Sequence, residues 1–351
     1  KDTSMITKLE LENFTVFNKL KIEFSPKINI IIGENGTGKT QLLKAGYALS
    51  TTNKISGSDI ETSLTSRLLK LFMPMDDKIG KMKKYGADEI AKMKITFDSE
   101  KSFACSFNNN SKNIAVQENN DYFSYESQST YIPTKEVLSF MKGFTSLYTN
   151  YNLSFDQTYF DICSLLDLPE VNKDKLHVKS KWAMEEIEAI CGGKFKFYGG
   201  GKVTFIVGDD EYSANSMAEG FRKAGMLSRL LETGAIAPGV TGTLFWDEPE
   251  TNMNPKLMRL FVEILLELSR NGQQIVIATH DYVFLKWFDL LKDDAKEDHI
   301  KFHILYRDKP TDEVKLQSTD SYLQIESNAI SDTFNDITKA QVRLKMGALG
   351  K

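Results

Sequence analysis

Cysteine, histidine and long apolar runs are all scarce in this chain, and each scarcity excludes something. Its three cysteines (Cys105, Cys163, Cys191) have no paired spacing, which argues against a disulfide scaffold and fits a reducing compartment. Its four histidines show no metal-ligand spacing, which argues against a zinc site. No apolar run approaches the roughly 20 residues of a membrane span, so no membrane partner is expected. There is no basic excess either: the net charge is −4, and any pull toward nucleic acid would have to be local. Sustained heptads, internal repeats and low-complexity tails are missing. The opening Lys1-Asp-Thr-Ser4 has no apolar stretch, so no secretory signal is read there, and Met5 is a candidate natural start. A chain of 351 residues can bury one large core or two ordinary ones. The expectation is a soluble, cytoplasmic protein.

Against this background one segment stands out. Ile28-Asn-Ile-Ile-Ile-Gly-Glu-Asn-Gly-Thr-Gly-Lys-Thr40 is an apolar strand running into G-x-x-x-x-G-K-[ST], with Gly33, Gly38, Lys39 and Thr40 at the fixed places. Glycines let backbone approach a polyphosphate, and successive amide N–H groups form an anion nest. The expected phosphate cradle is Gly33, Glu34, Asn35, Gly36, Thr37, Gly38, Lys39, Thr40 and Gln41. Lys39 would reach the β- and γ-phosphates, and the Thr40 hydroxyl would coordinate Mg²⁺. A helix from about Lys39 to Ala48 adds its positive end behind the phosphates. ATP with Mg²⁺ is the expected ligand.

Two further strand ends complete the pattern. Thr243-Leu-Phe-Trp-Asp247-Glu248-Pro249 is an apolar strand ending in two carboxylates. Asp247 is the expected Mg²⁺ acid, and Glu248 the general base on the attacking water. Downstream, Gln274-Ile-Val-Ile-Ala-Thr279-His280 is another buried strand. The helix expected over Pro255 to Arg270 makes the two strands parallel, which brings His280 to the same sheet edge, near the γ-phosphate.

Around these segments, alternation predicts strands over Ile6–Phe14, Leu20–Phe24 and Lys94–Phe107, and an extended stretch within Ala115–Ile132. Residues 134–195 read as mostly helical, with a hairpin over Phe195–Val207 and a closing hairpin over Ile300–Tyr306 and Glu313–Gln317. The basic run Lys78 to Lys94 is the one local candidate for nucleic acid; interleaved acids favour a solvated helix face instead. Asp293, Asp294 and Asp298 read as a solvated loop.

Taken together, the P-loop, the Asp-Glu-Pro strand end, the following Glu250-Thr-Asn-Met-Asn254-Pro255 and the Thr279-His280 strand end resemble the ABC-type ATPases. Leu9-Glu-Leu-Glu-Asn-Phe14, the Gly-Glu-Asn-Gly-Thr-Gly-Lys loop and Tyr131-Ile-Pro-Thr-Lys-Glu136 look like SMC, RecF and OLD-like heads, in particular the small single-chain "AAA family" ATPases often found in bacterial defence loci. The resemblance implies an α/β fold: a P-loop NTPase, ABC-type head with an N-terminal antiparallel sheet and an inserted helical lobe. It implies a discontinuous ATP-binding core (5–133 and 236–320), a helical and signature lobe (134–235), a variable insertion (51–94) and a C-terminal tail (321–351). It also implies a homodimer with ATP sandwiched between the P-loop of one subunit and the signature helix of the other, the Asn252–Asn254 loop lying at the seam.

The signature itself departs from the family pattern. Ser216-Met-Ala-Glu-Gly220-Phe-Arg-Lys223 is its only occupant, with Gly220 at the motif glycine and Ala218 where a phosphate-binding Ser would stand. Arg222 and Lys223 are expected to supply charge in its place; the alternative is a helix start packed inside one subunit. No glutamine is assigned to the Mg²⁺-sensing loop; Gln128 is merely a candidate. The chain shows neither a long coiled coil nor the nuclease domain of OLD proteins, so the expected function is ATP hydrolysis, slow, whose dimer closure regulates a separate effector such as a nuclease or toxin in anti-phage defence. A non-hydrolysing ATP-sensing scaffold, a transporter motor and a DNA-stimulated repair ATPase are the alternatives.

Overall fold

The computed structural model describes residues 5–98, 100–123, 128–325, 339 and 342–343. Residues 1–4 and most of the expected 321–351 tail lie outside them. Strands β1 (Ile6–Phe14), β2 (Phe17–Glu23) and β3 (Ile28–Gly33) lead into helices α1 (Lys39–Ser50) and α2 (Ile60–Phe72). Next come β4 (Ala91–Phe97), β5 (Ser102–Phe107), β6 (Ala115–Asn120) and β7 (Thr130–Ile132), then α3 (Phe144–Asn150), α4 (Gln157–Leu166) and α5 (Val178–Cys191). A small group, β8 (Lys194–Phe197), β9 (Val203–Val207) and β10 (Asp210–Ser213), precedes α6 (Glu219–Glu232). The remainder is β11 (Leu244–Asp247), α7 (Pro255–Arg270), β12 (Ile275–Thr279), α8 (Tyr282–Leu291), β13 (Ile300–Arg307) and β14 (Val314–Thr319).

These strands form three sheets. A six-stranded sheet runs β14-β13-β3-β12-β11-β7, parallel except for β14. A five-stranded antiparallel sheet runs β2-β1-β4-β5-β6, and β10-β9-β8 make a third. Both faces of the parallel sheet are buried, which is why its strands read as continuous apolar runs. Ile28, Ile30 and Ile32, Leu244 and Trp246, and Ile275 and Ile277 face one core with α7 and α8. Ile31, Phe245, Val276 and Ala278 face the other, where α1 is held between the two larger sheets. Local signals set the helix starts: Asn254 accepts from the Leu257 amide at 2.9 Å with Pro255 in the first turn, and Asp281 accepts from the Phe284 amide at 2.7 Å.

Several sequence expectations are corrected. Ala115–Ile132 holds two strands in different sheets, β6 and β7, because the first pairs with β5 and the second with β11. β4 starts at Ala91, so the end of the 51–94 segment belongs to the antiparallel sheet, where Met93 and Ile95 pair in register with Leu11 and Leu9. The Lys78–Lys94 run is no helix face but short turns leading into β4. Lys84 donates to the Val16 carbonyl, while Lys92 and Lys94 pair with Glu12 and Glu118. Asp298 is buried and doubly bonded by Arg270 at 2.8 and 2.6 Å, so it is a structural ion pair rather than a solvated residue.

Candidate nucleotide site

The central strand β3 delivers the Gly33–Thr40 loop to the carboxyl edge of the parallel sheet, where ligands of open α/β sheets gather. The loop is tightly built. Gly38, the N-cap of α1, has φ 93°, and a β-carbon there would lie 2.6 Å from Val16 Cγ2 and 2.7 Å from Phe17 Cζ. The Thr37 hydroxyl donates to the Glu34 carbonyl at 2.8 Å. Lys39 Nζ donates to the carbonyls of Gly33 (2.7 Å) and Glu34 (3.1 Å), so its ammonium lies over the loop. Burial lowers the Lys39 pKa, opposed by the nearby Glu248 and Asp247. Arg307 on β13 adds a contact the sequence did not suggest, donating to the Gly36 carbonyl at 3.0 Å.

At the tip of β11, Asp247 Oδ2 accepts from Thr40 Oγ1 at 2.8 Å and from the Tyr131 hydroxyl at 3.2 Å. Asp247 Oδ1 is buried with no hydrogen-bond partner among the described residues. Burial raises the Asp247 pKa, the Thr40 and Tyr131 donors opposing it. An orphaned carboxylate oxygen beside a P-loop threonine, both hard oxygen donors, fits a divalent cation such as Mg²⁺. Thr40 and Asp247 are the residues that would hold it.

One residue further, Glu248 takes a left-handed backbone (φ 48°), and its Oε1 lies 3.0 Å from His280 Nδ1. Parallel pairing of β11 with β12, Asp247 opposite Ala278, puts these two strand ends side by side. Glu250 lies behind them, buried, accepting from Thr279 Oγ1 at 2.5 Å while its second oxygen has no partner among the described residues. Burial raises its pKa to about 6.

The structure therefore brings Gly33 to Gln41, Asp247, Glu248 and His280 to one edge. Gln128 it does not: its carbonyl accepts from the Gly242 amide at the start of β11, the far end of the strand from Asp247. Gly220 is buried in the first turn of α6, where a β-carbon would sit 3.2 Å from Leu257 Cδ2 and 3.3 Å from the Asn252 carbonyl. Arg222 pairs with Glu136 at 2.8 Å, and buried Lys223 donates to the Thr251 carbonyl at 2.7 Å. Neither cation is free to replace a missing hydroxyl, which corrects that expectation. Asn252 donates to Glu219 at 2.9 Å, joining the loop after the acidic pair to the same helix start. Neither the Tyr131–Asp247 nor the Glu136–Arg222 contact is written in local sequence, because each depends on a pairing between distant segments.

Comparison with known proteins finds several likenesses. Residues 8–155 match the family described as "AAA domain", and residues 206–286 the one described as "AAA domain, putative AbiEii toxin, Type IV TA system". The DNA replication and repair protein RecF of Psychromonas ingrahamii is 38% identical over 65 residues, 18% of this chain and 17% of that protein. RecF of Oceanobacillus iheyensis is 53% identical over 45 residues, 13% of this chain and 12% of that protein. The matched stretches thus span less than a fifth of these relatives. An SMC head bound to the C-winged helix domain of ScpA superposes with a TM-score of 0.56 at 14% identity, covering 92% of this chain and 99% of that one. The SMC head domain of Thermotoga maritima gives 0.51 at 14%, covering 90% and 100%; at such identities these likenesses bear on the fold alone. Among the described residues no helix is long and apolar enough to cross a membrane. Family matches, RecF-like stretches and fold together make the chain similar to the SMC/RecF-like P-loop ATPases of the ABC type.

Proposed function

We propose that this chain binds ATP with Mg²⁺ and hydrolyses it. The observation that carries this reading is the convergence of Thr40, Asp247, Glu248 and His280 at the edge that bears the P-loop, with Thr40 Oγ1 2.8 Å from Asp247 and His280 Nδ1 3.0 Å from Glu248. Loop amides and Lys39 bind and orient the polyphosphate. Thr40 and Asp247 would hold Mg²⁺, which would supply charge neutralisation on the phosphate oxygens when bound. The Glu248 carboxylate accepts a proton from the attacking water, and His280 orients that carboxylate and the γ-phosphate. The products are ADP and phosphate.

The domain reading, a core of 5–133 and 236–320 carrying a 134–235 lobe, accompanies this proposal. So does an ATP-sandwich homodimer in the cytoplasm, in which the α6 start and the Asn252–Asn254 loop face a second copy. The departure of the signature from pattern, with Ala218 at the serine position, favours slow turnover and a regulatory output on a separate effector. The toxin–antitoxin description of the family matched by residues 206–286 supports a defence setting. A DNA-stimulated repair ATPase is the second reading, favoured by the RecF relatives. It predicts turnover raised by duplex DNA, and DNA binding that weakens steeply with salt.

The decisive experiment is solution mass with and without ATP·Mg²⁺, for wild type and Glu248→Gln. A monomer that becomes a stable dimer in the ATP-bound variant is the expected result. Tight ATP binding at unchanged mass would overturn the sandwich and leave an ATP-sensing scaffold.

A further inference from the structure

One buried hydroxyl touches the metal acid without a role in the reaction above. Tyr131 is 1% exposed and wedged against Tyr47 and Phe245, with ring centroids 5.3 and 6.5 Å away. In the parallel pairing of β7 with β11 it lies opposite Phe245. Asp247 is two residues on and therefore on the same face. The phenol passes alongside Phe245 and its hydroxyl donates to Asp247 Oδ2.

Resting on the ATPase reading, we infer that Tyr131 is the positioning residue of the Mg²⁺-binding carboxylate. The two donors on Oδ2 differ in what else they must do. Thr40 begins the nucleotide-binding helix, and its oxygen is required by the cation. Tyr131 has no second duty, and its ring is clamped by aromatic neighbours on α1 and β11. It fixes one setting of the Asp247 carboxyl, leaving Oδ1, the oxygen without a donor, for the cation or its water. Beyond Tyr131 the chain runs through Pro133 to Glu136, whose carboxylate pairs with Arg222 of α6. The strand that sets the metal acid is thereby tied to the signature helix.

The test uses Tyr131→Phe, which keeps the ring and removes only the hydroxyl. Affinity for a fluorescent ATP analogue is measured across a Mg²⁺ titration and again in EDTA, with thermal melts in EDTA alongside. The Mg²⁺ midpoint is expected to rise about ten-fold or more, with EDTA affinity and melting unchanged and turnover recovering at saturating Mg²⁺. Phe245→Leu, which loosens the clamp on the ring and leaves the hydroxyl in place, is expected to raise the midpoint less than Tyr131→Phe does. An unchanged midpoint in Tyr131→Phe, or an equal rise in Phe245→Leu, would overturn the inference alone. Wild type showing no Mg²⁺-dependent affinity at all would overturn it together with the ATPase reading.

Discussion

Glu248 and His280 follow neighbouring parallel strands, and a carboxylate oxygen of the first lies 3.0 Å from Nδ1 of the second. The left-handed turn at Glu248, anchored by its amide donating to the Ala278 carbonyl at 2.9 Å, gives the side chain this direction. A base oriented by a third group is the arrangement general-base catalysis needs. Glu248→Gln keeps the shape and removes the proton acceptor, so turnover should fall about 10²–10⁴-fold with ATP affinity retained. His280→Ala, which leaves the carboxylate but not its orientation, should fall less. Single-turnover hydrolysis beside equilibrium nucleotide binding measures both; equal loss of binding and turnover would assign these residues to the fold.

Gly38 is the residue whose replacement the loop tolerates least. Its φ of 93° penalises any side chain, and a β-carbon would meet Val16 of the β1–β2 turn and Phe17 of β2 well inside contact distance. Gly38→Ala is expected to lower stability by about 1–3 kcal/mol and to abolish ATP binding, because the amides of the nest turn with the loop. Gly86→Ala is the control: it also has positive φ (76°), with open space around it, so it carries the backbone penalty without touching the nucleotide. Thermal melts and ATP titrations of both variants separate strain from loss of the site.

The parts of the site legible in the sequence are those written locally. A buried strand, a glycine loop and a helix follow one another along Ile28–Ser50, and the two strand ends at Asp247 and Thr279 each carry their chemistry in adjacent residues. The helix between them forces parallel pairing, so their meeting was deducible. Contacts made through pairing of remote segments were not. β7 has three residues, too few for alternation to register, yet it carries Tyr131 to Asp247. The lysine run around Lys84 read as a helix face because its charges alternate with acids. In the fold those charges are spread over turns and a strand, and Lys92 and Lys94 find their partners on β1 and β6. Lys223 looked available from its neighbours in sequence; only the packing of α6 on the Glu248–Asn254 loop reveals that it is buried.

Two buried groups make opposite demands on pH. His303 is held between Asn29 and Ser318: Nε2 lies 3.1 Å from the Asn29 amide oxygen, which can only accept, so Nε2 carries the proton and Nδ1 takes the Ser318 hydroxyl at 2.7 Å. Burial, aided by Lys301, lowers its pKa from 6.5 to about 3. Between those values the unfolded chain binds a proton that the native chain does not, so its contribution is complete above pH 6.5 and is lost as pH falls. Glu250 runs the other way. Burial raises its pKa from 4.5 to about 6, so between those values the native chain holds the extra proton and stability drops as pH rises. Urea unfolding from pH 7.5 down to pH 5 should therefore show His303→Gln gaining about 2 kcal/mol on wild type, at roughly 1.4 kcal/mol per pH unit below 6.5. Over the same range Glu250→Gln should lose about 1 kcal/mol relative to wild type, its advantage being greatest above pH 6, where the buried carboxyl is charged. Parallel pH profiles for either variant and wild type would show that the group titrates alike in the folded and unfolded chains, and that its burial carries no protonation cost.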